Sequence, residues 1–64
     1  MKKEEIWVEV ERTRRLPSII GRLLRKDKDG NMILADGRTK ENLEYGLVFI
    51  KNTSIERVFL RHFV

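Results

Sequence analysis

The chain has 64 residues, no cysteine, one histidine, and 14 Lys+Arg against 10 Asp+Glu. That inventory excludes disulfides and thiolate-held zinc or iron, argues against a metal cluster, and describes one small domain over residues 1–64. A core of this size supplies only about 3–5 kcal/mol, so association with a partner subunit is the remaining source of stability. The net charge of +4 fits a nucleic-acid partner and equally a solvated surface rich in Lys, Arg and Glu. No run approaches the ~20 apolar residues of a membrane span, and no apolar segment follows MKKEE at residues 1–5, so a cytoplasmic chain away from membranes is expected.

After the tail at 1–5, residues 6–11 (IWVEVE) alternate Ile6, Val8 and Val10 with Trp7, Glu9 and Glu11. That period of two predicts a half-buried first strand, with Trp7 on its outward face to pack on a neighbouring subunit or stack a base. In the next segment Leu16, Ile19, Ile20, Leu23 and Leu24 stand at helical spacing, but Pro17 and Gly21 oppose a helix. A strand over 18–26 is the preferred reading, with Gly21 marking a sharp bend or close backbone approach. Arg12, Arg14, Arg15, Arg22 and Arg25 read either as a phosphate-contacting patch or as a solvated surface beside Glu9 and Glu11.

Asp29-Gly30 predicts a turn, residues 31–35 a third strand, and Asp36-Gly37 another turn before the polar loop 37–42. Residues 43–51 hold the run Leu47-Val48-Phe49-Ile50, which reads as a strand buried on both faces. Residues 52–54 turn the chain into a last strand over 55–63, anchored by Ile55, Val58 and Leu60. Five short strands at this spacing predict a small, strongly bent all-β barrel. Its apolar edge needs another chain to pair with.

Asn31 opens an apolar run with an acid four residues before it and another five after, more than a hairpin turn requires. DKDGN is not an EF-hand loop, because the sixth position counted from Asp27 is Met32 and not Gly. Asp27 and Asp29 lack a nucleophile beside them, and Ser18, Ser54 and His62 form no recognisable triad. No enzyme, cofactor or small-molecule substrate is expected.

Gly21, Leu23, Asp27, Asn31, Met32-Ile33-Leu34 and Asp36, followed by Val48-Phe49-Ile50, Lys51, Asn52 and Ile55, resemble the two halves of the Sm-like (LSm) signature. The halves fall in residues 6–36 and 43–60. The resemblance implies a five-stranded antiparallel Sm-like (SH3-like) barrel, with the N-terminal helix absent or vestigial. It implies a homo-oligomeric ring of five to seven subunits, joined fourth strand to fifth. It also implies that the turns at 27–31 and 51–54 face the pore and hold single-stranded, uridine-rich RNA through Asp27, Asp29, Gly30, Asn31, Lys51 and Asn52. An amide such as Asn31 offers the donor and acceptor that a uracil edge needs, and Asp27 can orient it. Three positions differ from the family pattern. Asp29 replaces a His or aromatic residue, Lys51 replaces Arg, and Asn52 replaces a Gly, where its tolerance of left-handed backbone would serve. With Asp29 in that place, a protein-assembly ring with a degraded uridine site is the alternative.

Overall fold

The computed structural model describes residues 4–61. Five strands follow in order: β1 (Trp7–Arg12), β2 (Ile19–Lys26), β3 (Met32–Arg38), β4 (Glu44–Ile50) and β5 (Ile55–Arg61), with a 3₁₀ turn Asn52–Ser54 before the last. They form one antiparallel sheet in the order β4-β3-β2-β1-β5. The fold is all-β, and no ladder joins β4 to β5 among the described residues.

The connectivity requires the sheet to curl. β4 and β5 are its two outer strands, and a flat sheet would set them about 19 Å apart, four intervals of ~4.8 Å. Yet only residues 51–54 separate Ile50 from Ile55, and part of that link is a 3₁₀ turn rising about 2 Å per residue. Ile50 and Ile55 accordingly pack on the same cluster, with Val8, Val10, Ile19, Met32 and Leu34 at its centre. Irregular pairing supplies the bends: the register shifts near Gly21, between Leu23 and Arg25, and twice around Gly37. At Gly21 a Cβ would stand 3.0 Å from both the Ala35 carbonyl oxygen and Leu34 Cβ, so glycine is what lets β2 and β3 approach there.

The strand preferred over 18–26 is present as β2, hydrogen-bonded to a strand on each side, and the helical spacing there gives no helix. Other expectations are corrected. Asp36-Gly37 does not end the third strand. Asp36 does take the positive φ of turn chemistry, 55°, but as a bulge inside β3, which continues to Arg38. β4 is not buried on both faces: Leu47 is 57% and Phe49 70% exposed, while Ile50 is buried, and β4 also ends the ladder. On β5, Ile55 reaches the core, but Val58 and Leu60 are exposed and stand outside the core cluster of the described residues. The expected extension of the last strand to 63, and His62, lie outside the described residues.

Glu9 departs from its expected outward, solvated place. It is buried, taking Arg61 Nη1 at 2.8 Å on one carboxylate oxygen and Lys40 Nζ at 3.2 Å on the other. Two cations offset the desolvation of one buried charge. No helix of the described residues is long and apolar enough to cross a membrane.

Candidate nucleic-acid interface

The turn between β2 and β3 is organised by one carboxylate. Asp27 Oδ1 accepts the backbone N–H of Asp29 and of Asn31, both at 2.9 Å, and Oδ2 accepts the Asn31 side-chain amide at 3.0 Å. Backbone bonds from Asp27 to Asn31 (3.0 Å) and from Gly30 to Asp27 (3.1 Å) close the loop. This is the local side chain-to-backbone bonding for which Asp is favoured in turns. Gly30 lies at φ 87°, and a Cβ there would meet the Asn52 side chain at 3.3 Å. Only glycine meets both conditions comfortably.

The second turn docks on the first. Asn52 N–H donates to Asn31 Oδ1 at 2.8 Å, so residues 21 apart in the chain share one bond. The carboxylate on one side and the N–H on the other determine which way the Asn31 amide points. Asn31 keeps one amide proton and one carbonyl lone pair beyond these contacts. Asn52 opens the 3₁₀ turn and is not among the residues with positive φ, so the left-handed backbone expected for it is not used. Its role is to present an N–H, which any residue but proline could do.

Beside this clamp runs a groove of about 310 Å³, bordered by Arg25, Ile33, Phe49 and Lys51 together with Asp27 and Asn31. Ile33 and Phe49 are directly paired across β3 and β4 and form its apolar wall. Lys51 and Arg25 are exposed cations on its border. Phe49 and Ile33 were not legible as site residues, although Phe49 stands on alternate strand positions with Lys51. Asp29 sits exposed at the turn tip, contributing its N–H to the loop. The structure therefore brings together Asp27, Gly30, Asn31, Lys51 and Asn52, with Asp29 on the rim.

The five arginines are divided among separate places. Arg22 pairs with Asp36 at 3.3 Å, Arg12 Nε donates to the Pro17 carbonyl at 2.9 Å, and Arg25 borders the groove. Arg14 and Arg15 occupy the tip of the β1–β2 connection. Trp7 is half-buried, its indole N–H 3.5 Å from Glu5 Oε2.

The Asn31 side-chain amide, then its backbone N–H, hold the Asp27 carboxyl below its ordinary value of 3.8. The folded state thus favours the charged form. The resulting stability is present above pH 3.8 and is lost as pH falls below it, through the depressed folded-state value. Asp27→Asn is expected to melt at a lower temperature than the native chain at neutral pH. The gap should narrow steadily in melts taken below pH 3.8. A gap independent of pH would show that the carboxylate charge does not hold the turn.

Compared with known proteins, the chain matches no family model, no curated protein and no solved structure.

Proposed function

We propose that the chain is a subunit of an Sm-like homo-oligomeric ring that binds single-stranded, uridine-containing RNA at its inward turns. The observation that carries the reading is the joining of Asp27, Asn31 and Asn52 into one clamp beside a groove with cationic borders. Sequence motifs at 27–31 and 51–52 that serve one ligand have to meet in space, and these do.

Two further features support the ring. The strands left at the sheet edges, β4 and β5, carry exposed Tyr45 and Leu47 on one side of the molecule's ladder and Val58 and Leu60 on the other. Edges this apolar are aggregation-prone unless covered. Pairing β4 of one copy with β5 of the next is head-to-tail, and such contacts close into a ring when the rotation permits. The curled sheet also suits a small barrel completed within that assembly.

In this reading a base lies against the Phe49 and Ile33 wall, where stacking is worth about 1–3 kcal/mol per base. The free amide proton and lone pair of Asn31 meet the Watson–Crick edge of uracil, and Lys51 and Arg25 meet phosphate. Repetition around the ring raises the effective concentration of a weak single site. The proposed activity is RNA binding in RNA metabolism or chaperoning, without catalysis.

Titration of fluorescent oligo(U) tests the reading. Binding should weaken steeply with salt, and Lys51→Ala or Arg25→Ala should each lower the slope of log affinity against log salt by about 0.7 for every subunit whose phosphate contact is lost. A stable ring that binds no oligo(U) even at low salt would instead favour the assembly-scaffold reading. The exposed Asp29 carboxylate at the turn tip, which repels phosphate, is the feature on that side.

A further inference from the structure

The connection between β1 and β2 has a tip that its own sequence does not favour. Leu16 N–H donates to the Thr13 carbonyl at 3.2 Å, and the two residues between them, Arg14 and Arg15, have φ 59° and 58°. Positive φ at both central residues is the pattern of a type I′ turn, for which Asn-Gly is the preferred pair. Arginine has no short polar group to ease the left-handed conformation, so two in succession strain the turn.

Their charges are not used among the described residues. Neither Arg14 nor Arg15 makes an ion pair or side-chain hydrogen bond among the described residues. The acid nearest in sequence, Glu11, is taken by Arg57 at 3.2 Å. The tip is nevertheless held in place. Arg12 Nε is bonded to the Pro17 carbonyl across it, and Thr13 N–H donates to the Ser54 carbonyl at 3.0 Å. Ser54 closes the same turn that begins at Lys51 on the groove border, through a 2.9 Å bond from its N–H to the Lys51 carbonyl. Groove and arginine tip are thus the two ends of one hydrogen-bonded connection.

We infer that Arg14 and Arg15 form a second, phosphate-binding subsite that takes the backbone of the RNA strand after it leaves the groove. The inference rests on the RNA-binding reading above. Unpaired guanidiniums on an anchored tip favour phosphodiester oxygens, which they meet in a forked, bidentate geometry. The contact carries no base selectivity, because the phosphates are the same at every nucleotide. Its effect is to lengthen the bound strand and not to choose its sequence.

The double substitution Arg14→Asn with Arg15→Gly tests this without risking the fold, since it installs the pair the turn prefers. Its melting temperature should equal or exceed that of the native chain. Affinity for an oligo(U) hexamer, confined to the pore, should be unchanged. Affinity for an octadecamer should fall roughly ten-fold or more at about 0.1 M salt, with the salt slope reduced by about 1.4, or 0.7 for each of two contacts. Arg14→Lys with Arg15→Lys should keep most of that slope. If the Asn-Gly variant binds the octadecamer with native affinity and slope, the subsite is refuted while the groove reading stands. If the native chain binds neither oligonucleotide, both fall together.

Discussion

With Leu47 and Leu60 both replaced by lysine, the chain is expected to run as a folded 7.7 kDa monomer in light scattering, where the ring proposal expects the native chain to run as a multiple of that mass. The two leucines stand on the two strands that end the sheet, 57% and 66% exposed. Because neither is buried within its own chain, the change should cost the lone subunit no more than about 0.5 kcal/mol. Across the proposed β4–β5 junction both would be covered. Fully burying an exposed leucine is worth about 1.5–3 kcal/mol, and with roughly 60% of each still uncovered in the lone chain the two together contribute about 2–4 kcal/mol to each contact. That is a factor of about 30 to 10³ in dissociation constant, before like-charge repulsion between facing lysines is counted. Lysine on an edge strand is also the device by which natural sheets avoid edge pairing. A native chain already at 7.7 kDa and well folded would end the ring proposal.

Leu34→Ala should act at the other extreme and abolish cooperative folding near room temperature. Leu34 is fully buried at the centre of the cluster, paired with Leu23 on one side and Val48 on the other, with its Cβ against Gly21. Truncating a buried leucine costs about 2–5 kcal/mol, as the removed methyls leave a cavity that close neighbours fill only in part. A 64-residue chain has a total of that order to lose. Circular dichroism should show the sheet signal without a cooperative melt. Leu24→Ala, at a half-exposed place on the adjacent strand, is the control and should melt within a few degrees of the native chain. A clean transition retained in Leu34→Ala would mean that the core is sustained from elsewhere, for which assembly is the available source.

The two outcomes separate what the core does from what the edges do. Leu34 belongs to a cluster complete within one chain. Leu47 and Leu60 belong to exposed surfaces outside that cluster. The Asp27 clamp lies between these cases, since its carboxylate organises one turn while its amide partner fastens a second.

Much of this was legible along the chain, and the legible part is local. Alternation at Val8 and Val10, Pro17 ahead of a strand and Asp29-Gly30 at a turn each act within a few residues, where backbone geometry dictates the outcome. The Asp27-to-Asn31 bonding is of the same kind, four residues across, and the fixed offset that made Asn31 conspicuous is the offset the hydrogen bonds span. Asp36-Gly37 was legible and misleading together. Asp36 does adopt the left-handed φ that Asp-Gly suggests, but Arg38 beyond it still finds partners in Ile20 and Glu44, so the strand bulges and does not turn.

Other features depended on which strands became neighbours. Glu9 looked like a solvated alternate position until Lys40 and Arg61 arrived from a loop and the last strand to cover it. The run at 47–50 looked like a buried strand, yet it ends the ladder with Leu47 and Phe49 in the open. The bond from Asn52 to Asn31 and the link between the arginine tip and the groove exist only because the sheet curls and brings its outer strands to one short connection, and the Phe49 and Ile33 wall exists because β3 and β4 pair in that register. Alternation within a strand tells one face from the other, but register and curvature decide what those faces meet. Residue order by itself therefore determined the strands and the chemistry of the first turn; the rolled sheet decided which distant groups share a site.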